Sequence, residues 1–346
     1  MRGIYFEQFH GPVGVKELPD PTLSPGGVVI RVDATGICRS DWHAWAGHDQ
    51  EVSLPHVPGH ELAGTIAAVG LEVRQFALGD RVTVPFVCGC GRCEFCLQGN
   101  SQVCPTQTQP GFTHWGSFAE FVAIDNADFN LIRIPEAVSM VAAASLGCRF
   151  ATAFRGLSER AKVQPEEWVA VIGAGGVGLS TVMIAKAFGA RVIAVDVAEE
   201  PLDRAQEIGA DITINGRETD PIEAILQLTG GAHIGIDAVG SEVTARQSIL
   251  SLRRRGRHVQ IGLLPSIGGL PRIPMDRVIS YELDLLGSHG MAAKDYPRML
   301  SLIEQNLLRP DLLVSQVVNL EQAAVQLVTL DQHPANGMTV LDPWLR

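Results

Sequence analysis

The chain has 346 residues, a formal net charge of −11 and charged residues at 19%. That length suits about two to three domains with full cores, and the composition excludes a disordered, collagen-like or coiled-coil chain. The acidic balance argues against nucleic-acid or anionic-membrane partners, which call for clustered Lys and Arg.

All seven cysteines (Cys38, Cys88, Cys90, Cys93, Cys96, Cys104 and Cys148) precede residue 149. Met1 to Pro12 carries Glu7 and His10 and lacks the apolar core of an export signal. The expected compartment is therefore the reducing cytoplasm, where clustered cysteines read as metal ligands before disulfides.

In chain order, the first 148 residues show short apolar runs broken by Gly and Pro, at Val28 to Val32, Gly64 to Val69, Asp80 to Pro85 and Phe118 to Ile124. Such runs predict a β-rich domain with long loops. From about residue 150 the rhythm becomes strand then helix: Val169 to Ile172, Leu179 to Phe188, Val192 to Val195, Glu199 to Ile208, Asp211 to Ile214 and Pro221 to Leu228. It continues with Ile234 to Val239, Thr244 to Leu252, His258 to Ile261 and a last strand at Leu283 to Leu286. Six strands joined by helices predict a parallel, doubly wound α/β domain. The tail predicts helices at Pro297 to Asn306 and Glu321 to Leu330 and a strand at Met338 to Leu341 that returns to the first domain.

Trp168 to Ala185 is uncharged and near the lower length of a membrane span, but glycines crowd its first half. Gly173-Ala174-Gly175-Gly176-Val177-Gly178 is G-x-G-x-x-G between an apolar strand and a helix. In that context the glycines let the backbone approach a pyrophosphate at the helix N-terminus. Asp196 ends the next strand, where a carboxylate binds ribose hydroxyls. Glu199 and Glu200 follow it and no Lys or Arg precedes Arg204, which favours NAD over NADP. Arg253-Arg254-Arg255-Gly256-Arg257 lacks stacking aromatics and reads as a solvated turn between a helix and a strand.

Cys90, Cys93, Cys96 and Cys104 form C-x2-C-x2-C-x7-C. Four thiolates at this spacing suit a closed tetrahedral zinc that stabilises a loop. An iron–sulfur cluster is the competing occupant, since C-x2-C-x2-C also occurs in ferredoxins. Cys88 is a spare thiol or a competitor for Cys90, and the spacing to Cys93 favours Cys90.

Two further segments are Cys38-Arg39-Ser40-Asp41-Trp42-His43 and Gly59-His60-Glu61-Leu62-Ala63-Gly64, the latter followed by Gly70. The G-H-E-x2-G-x5-G run resembles the zinc signature of the medium-chain zinc-dependent alcohol dehydrogenases. The C-R-S-D-x-H run resembles that family's first metal ligand and proton-relay segment. The four-cysteine lobe and the glycine-rich turn follow in the family's order, so the resemblance covers essentially the whole chain.

The resemblance implies a GroES-like catalytic zinc domain over 1–149 and 287–346 and a Rossmann NAD-binding domain over 150–286. It implies two zinc ions per chain: one on Cys38, His60 and Cys148, and a structural one on the four-cysteine lobe. Glu61 becomes the carboxylate beside the catalytic zinc and Asp41 the acceptor that orients His60. The implied reaction passes a hydride between a zinc-bound alkoxide and NAD, with the proton leaving through Ser40, the cofactor ribose and His43. Arg39 is implied as a pyrophosphate contact. Many relatives carry an arginine in the final G-R-x-V-L strand where it can approach the cofactor; that position is Met338 here, so the resemblance does not extend to that contact. Cys148, where polyol dehydrogenases often carry glutamate, favours the alcohol-dehydrogenase type. His48, Asp49, Phe86 and Trp115 are candidates for the substrate wall. The family also implies a homo-oligomer, a tetramer rather than a dimer, acting on a small alcohol or aldehyde. The alternatives are a zinc-independent quinone or enoyl reductase of the same fold, which generally lacks the Cys38/His60/Cys148 set, and a non-enzymatic NAD-binding regulator.

Overall fold

The computed structural model describes residues 1–264, 270–332 and 337–346. The chain divides into two compact units: Met1–Ala151 with Gly290–Asn306 and Val314–Arg346, and Thr152–His289 with Leu307–Leu313. The tail thus returns to the first unit with one interruption, at Leu307–Leu313.

In the first unit the strand Val28–Ile37 is the hub of a seven-stranded sheet. It pairs antiparallel with Glu61–Val69 and Phe121–Ile124 on its two edges, and its C-terminal end also pairs with Met338–Leu341. Beyond Glu61–Val69 lie Arg81–Thr83 and then Ile132–Arg133. Val314–Val318, which the sequence pattern did not announce, adds parallel to Met338–Leu341. Inward-facing β-branched and aliphatic residues hold these strands, among them Val28, Ile30, Val32, Leu62, Ile66, Val82 and Ile124. Their alternation with outward residues along Val28–Val32 is the period that fixes register where one face is buried.

The second unit is a six-stranded, wholly parallel sheet. Its spatial order is Ile212–Asn215, Arg191–Asp196, Trp168–Ile172, Ala232–Asp237, Leu252–Gln260, Asp284–Gly287. This is the doubly wound order, with the unit's own first strand, Trp168–Ile172, at the topological switch point. Central strands such as Val169–Ile172 and Val192–Val195 are buried throughout, as a sheet covered on both faces requires. Helix boundaries follow local chemistry. Asp220 caps Pro221–Thr229 through the Ile222 amide, with Pro221 in the first turn and Gly230 left-handed after the end. Ser241 and Thr244 form a reciprocal cap on Glu242–Leu250.

The arginine run corrects the expected turn. It lies within the strand Leu252–Gln260, where Leu252 pairs with Ala232 and the next pairing is Arg257 with Ile234. The intervening residues bulge from the ladder, with Arg253, Arg254 and Arg255 exposed and Arg255 at φ 58°. The uncharged stretch from Trp168 is a strand, a glycine turn and the helix Gly176–Ala187. Among the described residues no helix is long and apolar enough to cross a membrane.

Candidate metal and dinucleotide sites

Cys38 directly follows the hub strand and caps the short helix Arg39–Trp45. The third residue of that helix, Asp41, is fully buried, and its carboxylate is the organising group. Oδ2 accepts from the Cys38 amide at 2.9 Å, and Oδ1 accepts from the Gly59 amide at 3.1 Å. Oδ1 also lies 2.8 Å from Nδ1 of His60. A carboxylate so placed ties the first cysteine segment to the histidine segment. It also assigns the imidazole proton to Nδ1, because an ionised carboxylate only accepts.

His60 is fully buried, and among the described residues its Nε2 has no hydrogen-bond partner. Burying an unpaired polar nitrogen is costly without a ligand for it. One ligand atom from each of Cys38, His60, Glu61 and Cys148 lies within 4.8 Å of the others. Cys148 arrives from a π-helical turn, Leu146–Phe150, that widens the helical segment begun at Met140; such turns recur at functional positions. A hydrogen bond from Cys148 holds the Cys38 thiol well below its ordinary range, against burial and with help from His60 and Arg149. A thiolate is the metal-ligating form, so this donor set fits a borderline-soft ion such as zinc.

Glu61 is also fully buried, but both its oxygens are engaged by Arg149. Burial pushes its carboxyl up, and the Arg149 charge opposes that. Nothing in the local sequence announces the pairing with Arg149, although Arg149 directly follows Cys148. The ring of Phe86 lies 6.1 Å from that of His60, and Phe112, not singled out by sequence, lies at 5.2 Å. Trp115 instead packs edge-on against Tyr5 and donates to the Pro55 carbonyl.

Ser40 Oγ is 3.8 Å from Cys38 Sγ. His43 is half-buried, and its Nδ1 lies 2.9 Å from Nδ1 of His48. Arg39 is exposed, donates to the Leu330 carbonyl at 3.0 Å and stacks on Trp42.

Cys90, Cys93, Cys96 and Cys104 form a second group, their sulfurs within 4.8 Å of one another. Hydrogen bonds from the Thr106 hydroxyl and the Arg92 amide hold Cys90 down to about 5. Cys88 lies apart in the core of the first unit, its thiol pushed up to about 12 by burial. It is no register competitor.

In the second unit, the strand Trp168–Ile172 runs into a turn in which Gly173 has φ 96°. A Cβ on Gly178 would overlap the Gly173 carbonyl, so only glycine lets the helix start this close to the strand. Gly175 caps the helix Gly176–Ala187, is exposed, and faces open space on its Cβ side. Val177 is half-buried in the first helical turn. Asp196 Oδ2 accepts from the Ala174 amide at 2.7 Å, and Oδ1 accepts from Val197 and Ala198. The acid is therefore fixed beside the glycine turn, at the end of the strand Arg191–Asp196.

Residues 24–136 match the alcohol dehydrogenase GroES-like domain, and residues 176–305 the zinc-binding dehydrogenase domain. An alcohol dehydrogenase of Geobacillus stearothermophilus is 32% identical over 343 residues, covering 99% of this chain and 98% of its own. An NAD-dependent alcohol dehydrogenase of Sulfurisphaera tokodaii is 32% identical over 355 residues, covering 99% and 100%. The crystal structure of an NAD-dependent alcohol dehydrogenase matches with a TM-score of 0.88 at 32% identity, covering 99% of both chains.

Proposed function

Since this chain belongs to the medium-chain zinc-dependent alcohol dehydrogenases and is an NAD-linked alcohol oxidoreductase, we propose that its reaction takes place at Cys38, His60 and Cys148, with a second, structural zinc on Cys90, Cys93, Cys96 and Cys104. The observation that carries this reading is the buried Nε2 of His60, without a hydrogen-bond partner among the described residues, beside two cysteine sulfurs. When bound, zinc supplies a Lewis acid that lowers the alcohol's pKa, and NAD supplies the hydride acceptor.

The chain's own groups do the rest. Asp41 holds His60 in the Nδ1–H tautomer, which keeps Nε2 free to ligate. Phe86 and Phe112 flank the imidazole and keep water from that side. Ser40, beside Cys38, takes the proton of the alcohol first, and His43 carries it toward solvent. Glu61 supplies a carboxylate next to the ligand set, balanced by Arg149. The turn Gly173, Gly175, Gly176, Val177 and Gly178 would hold the NAD pyrophosphate, Asp196 would bind its adenosine ribose, and Arg39 would add a cation for the pyrophosphate. Glu199 and Glu200 oppose a 2′-phosphate, so NAD is preferred over NADP. A cytoplasmic homotetramer completes the proposal and is checked by light scattering of the purified chain.

The test is an NAD-linked assay over primary, secondary, aromatic and sugar alcohols and the matching carbonyl compounds. Turnover of one class supports the reading. No turnover by protein that holds both zinc and NAD would overturn it in favour of a binding role.

A further inference from the structure

We propose that His48 is a second proton carrier, taking from His43 the proton that leaves the reaction and delivering it to solvent. The inference rests on the relay reading above and extends it by one residue.

His43 stands in the last turn of Arg39–Trp45 and is half-buried. The chain then reverses at Gly47, φ 70°, and the His48 amide donates to the His43 carbonyl at 3.0 Å. This reversal sets the two imidazoles side by side, with ring centroids 5.2 Å apart and planes tilted by 44°. Their Nδ1 atoms are 2.9 Å apart. At that separation one nitrogen must carry the shared proton and the other must accept it, since two N–H groups cannot face each other. The pair therefore holds one proton between its rings and resists double protonation.

The two rings differ in environment. Burial lowers the basicity of His43, with the Arg39 charge adding to it, His48 contributing and Cys38 opposing. His48 is exposed, flanked by the rings of Trp42 at 5.5 Å and His10 at 6.4 Å. A proton arriving on the interior ring is thus drawn outward. In the step, a proton binds Nε2 of neutral His43, and the Nδ1–H bond of His43 breaks as an Nδ1–H bond forms on His48. His48 then releases its Nε2 proton to water or a buffer base. One positive charge enters the pair and one leaves.

The test uses the full-length zinc- and NAD-loaded enzyme with His48→Ala and His48→Gln, both at an exposed position. The measurement is kcat for alcohol oxidation against imidazole buffer concentration at fixed pH and ionic strength, with the His43 titration followed by NMR in parallel. The expected result is a several-fold lower kcat in dilute buffer that rises toward the wild-type value as imidazole increases. The wild-type rate stays flat, and the His43 titration moves up once its neighbour is gone. Variants with the wild-type kcat in dilute buffer, or with a deficit that imidazole does not relieve, would overturn the inference. A wild-type enzyme without NAD-linked turnover would instead overturn the reading on which it rests.

Discussion

Arg149 grips both oxygens of Glu61, Nε to Oε1 at 3.0 Å and Nη2 to Oε2 at 2.5 Å, with the Arg149 amide adding a third bond at 3.2 Å. Glu61 is fully buried and Arg149 nearly so. A Cβ on Gly36 would overlap Glu61 Oε2, so the hub strand carries glycine where the pair sits against it. Breaking one partner of a buried pair leaves an uncompensated charge, whereas removing both charges together is far better tolerated.

Arg149→Met is therefore expected to destabilise the chain by about 3–5 kcal/mol, and Glu61→Gln combined with Arg149→Met to recover much of that loss. Denaturant unfolding at fixed zinc concentration reads both. Equal stability of Arg149→Met and the wild type would show that the fork contributes nothing.

The four-cysteine lobe makes a separate prediction about metal content. Cys104→Ser removes one of four convergent sulfurs, and zinc is expected to fall from about two ions per chain to about one. Thermal stability should fall with it, because metal binding and loop folding are linked. Metal analysis that still finds two ions after this substitution would contradict the assignment.

Asp196 joins the glycine turn to the strand Arg191–Asp196 through the Ala174 amide. Asp196→Ala loses a charged hydrogen-bonding group, typically about 1.5–3 kcal/mol, so NAD affinity should weaken roughly 10- to 100-fold. A fluorescence titration with NADH measures this, and an unchanged affinity would remove Asp196 from the cofactor site.

Acid sensitivity follows from buried histidines. Burial lowers the basicity of His56 and His258 in the folded chain. The unfolded chain then takes up protons first as pH falls below about 6.5. Stability is full above that value, declines as pH falls through it, and levels off only below the folded-state pKa values. Tm is expected to fall over this window, and His258→Gln to make the fall shallower. An identical pH slope in the variant would contradict the role given to His258, which lies between Ser248 and Gln260.

Local chemistry made much of this legible in advance. The cysteine spacing, the strand–glycine–helix context of Gly173 to Gly178 and the alternation of strands and helices after residue 150 each depend on residues near one another in the chain. Arg149 was silent because its partner is Glu61, and a contact across so much sequence leaves no period to read. Val314–Val318 carries no apolar period because Ser315 and Gln316 are exposed and interrupt its run. The helix Met275–Tyr281 has no buried residue and hence no apolar stripe to announce it. The arginine run read as a turn because its charges are exposed, although its backbone belongs to a bulged strand. The pairing of His48 with His43 is not legible in the sequence, since it depends on the reversal at Gly47.

Cys38, His60 and Cys148 are proposed to hold the ion on which turnover depends, with NAD bound elsewhere in the chain. The direct measurement is Cys38→Ala assayed for NAD-linked alcohol oxidation, together with NADH affinity and zinc content. Turnover is expected to vanish, zinc to drop by one ion per chain, and NADH affinity to stay close to wild type. Sustained turnover without that ion would contradict the account.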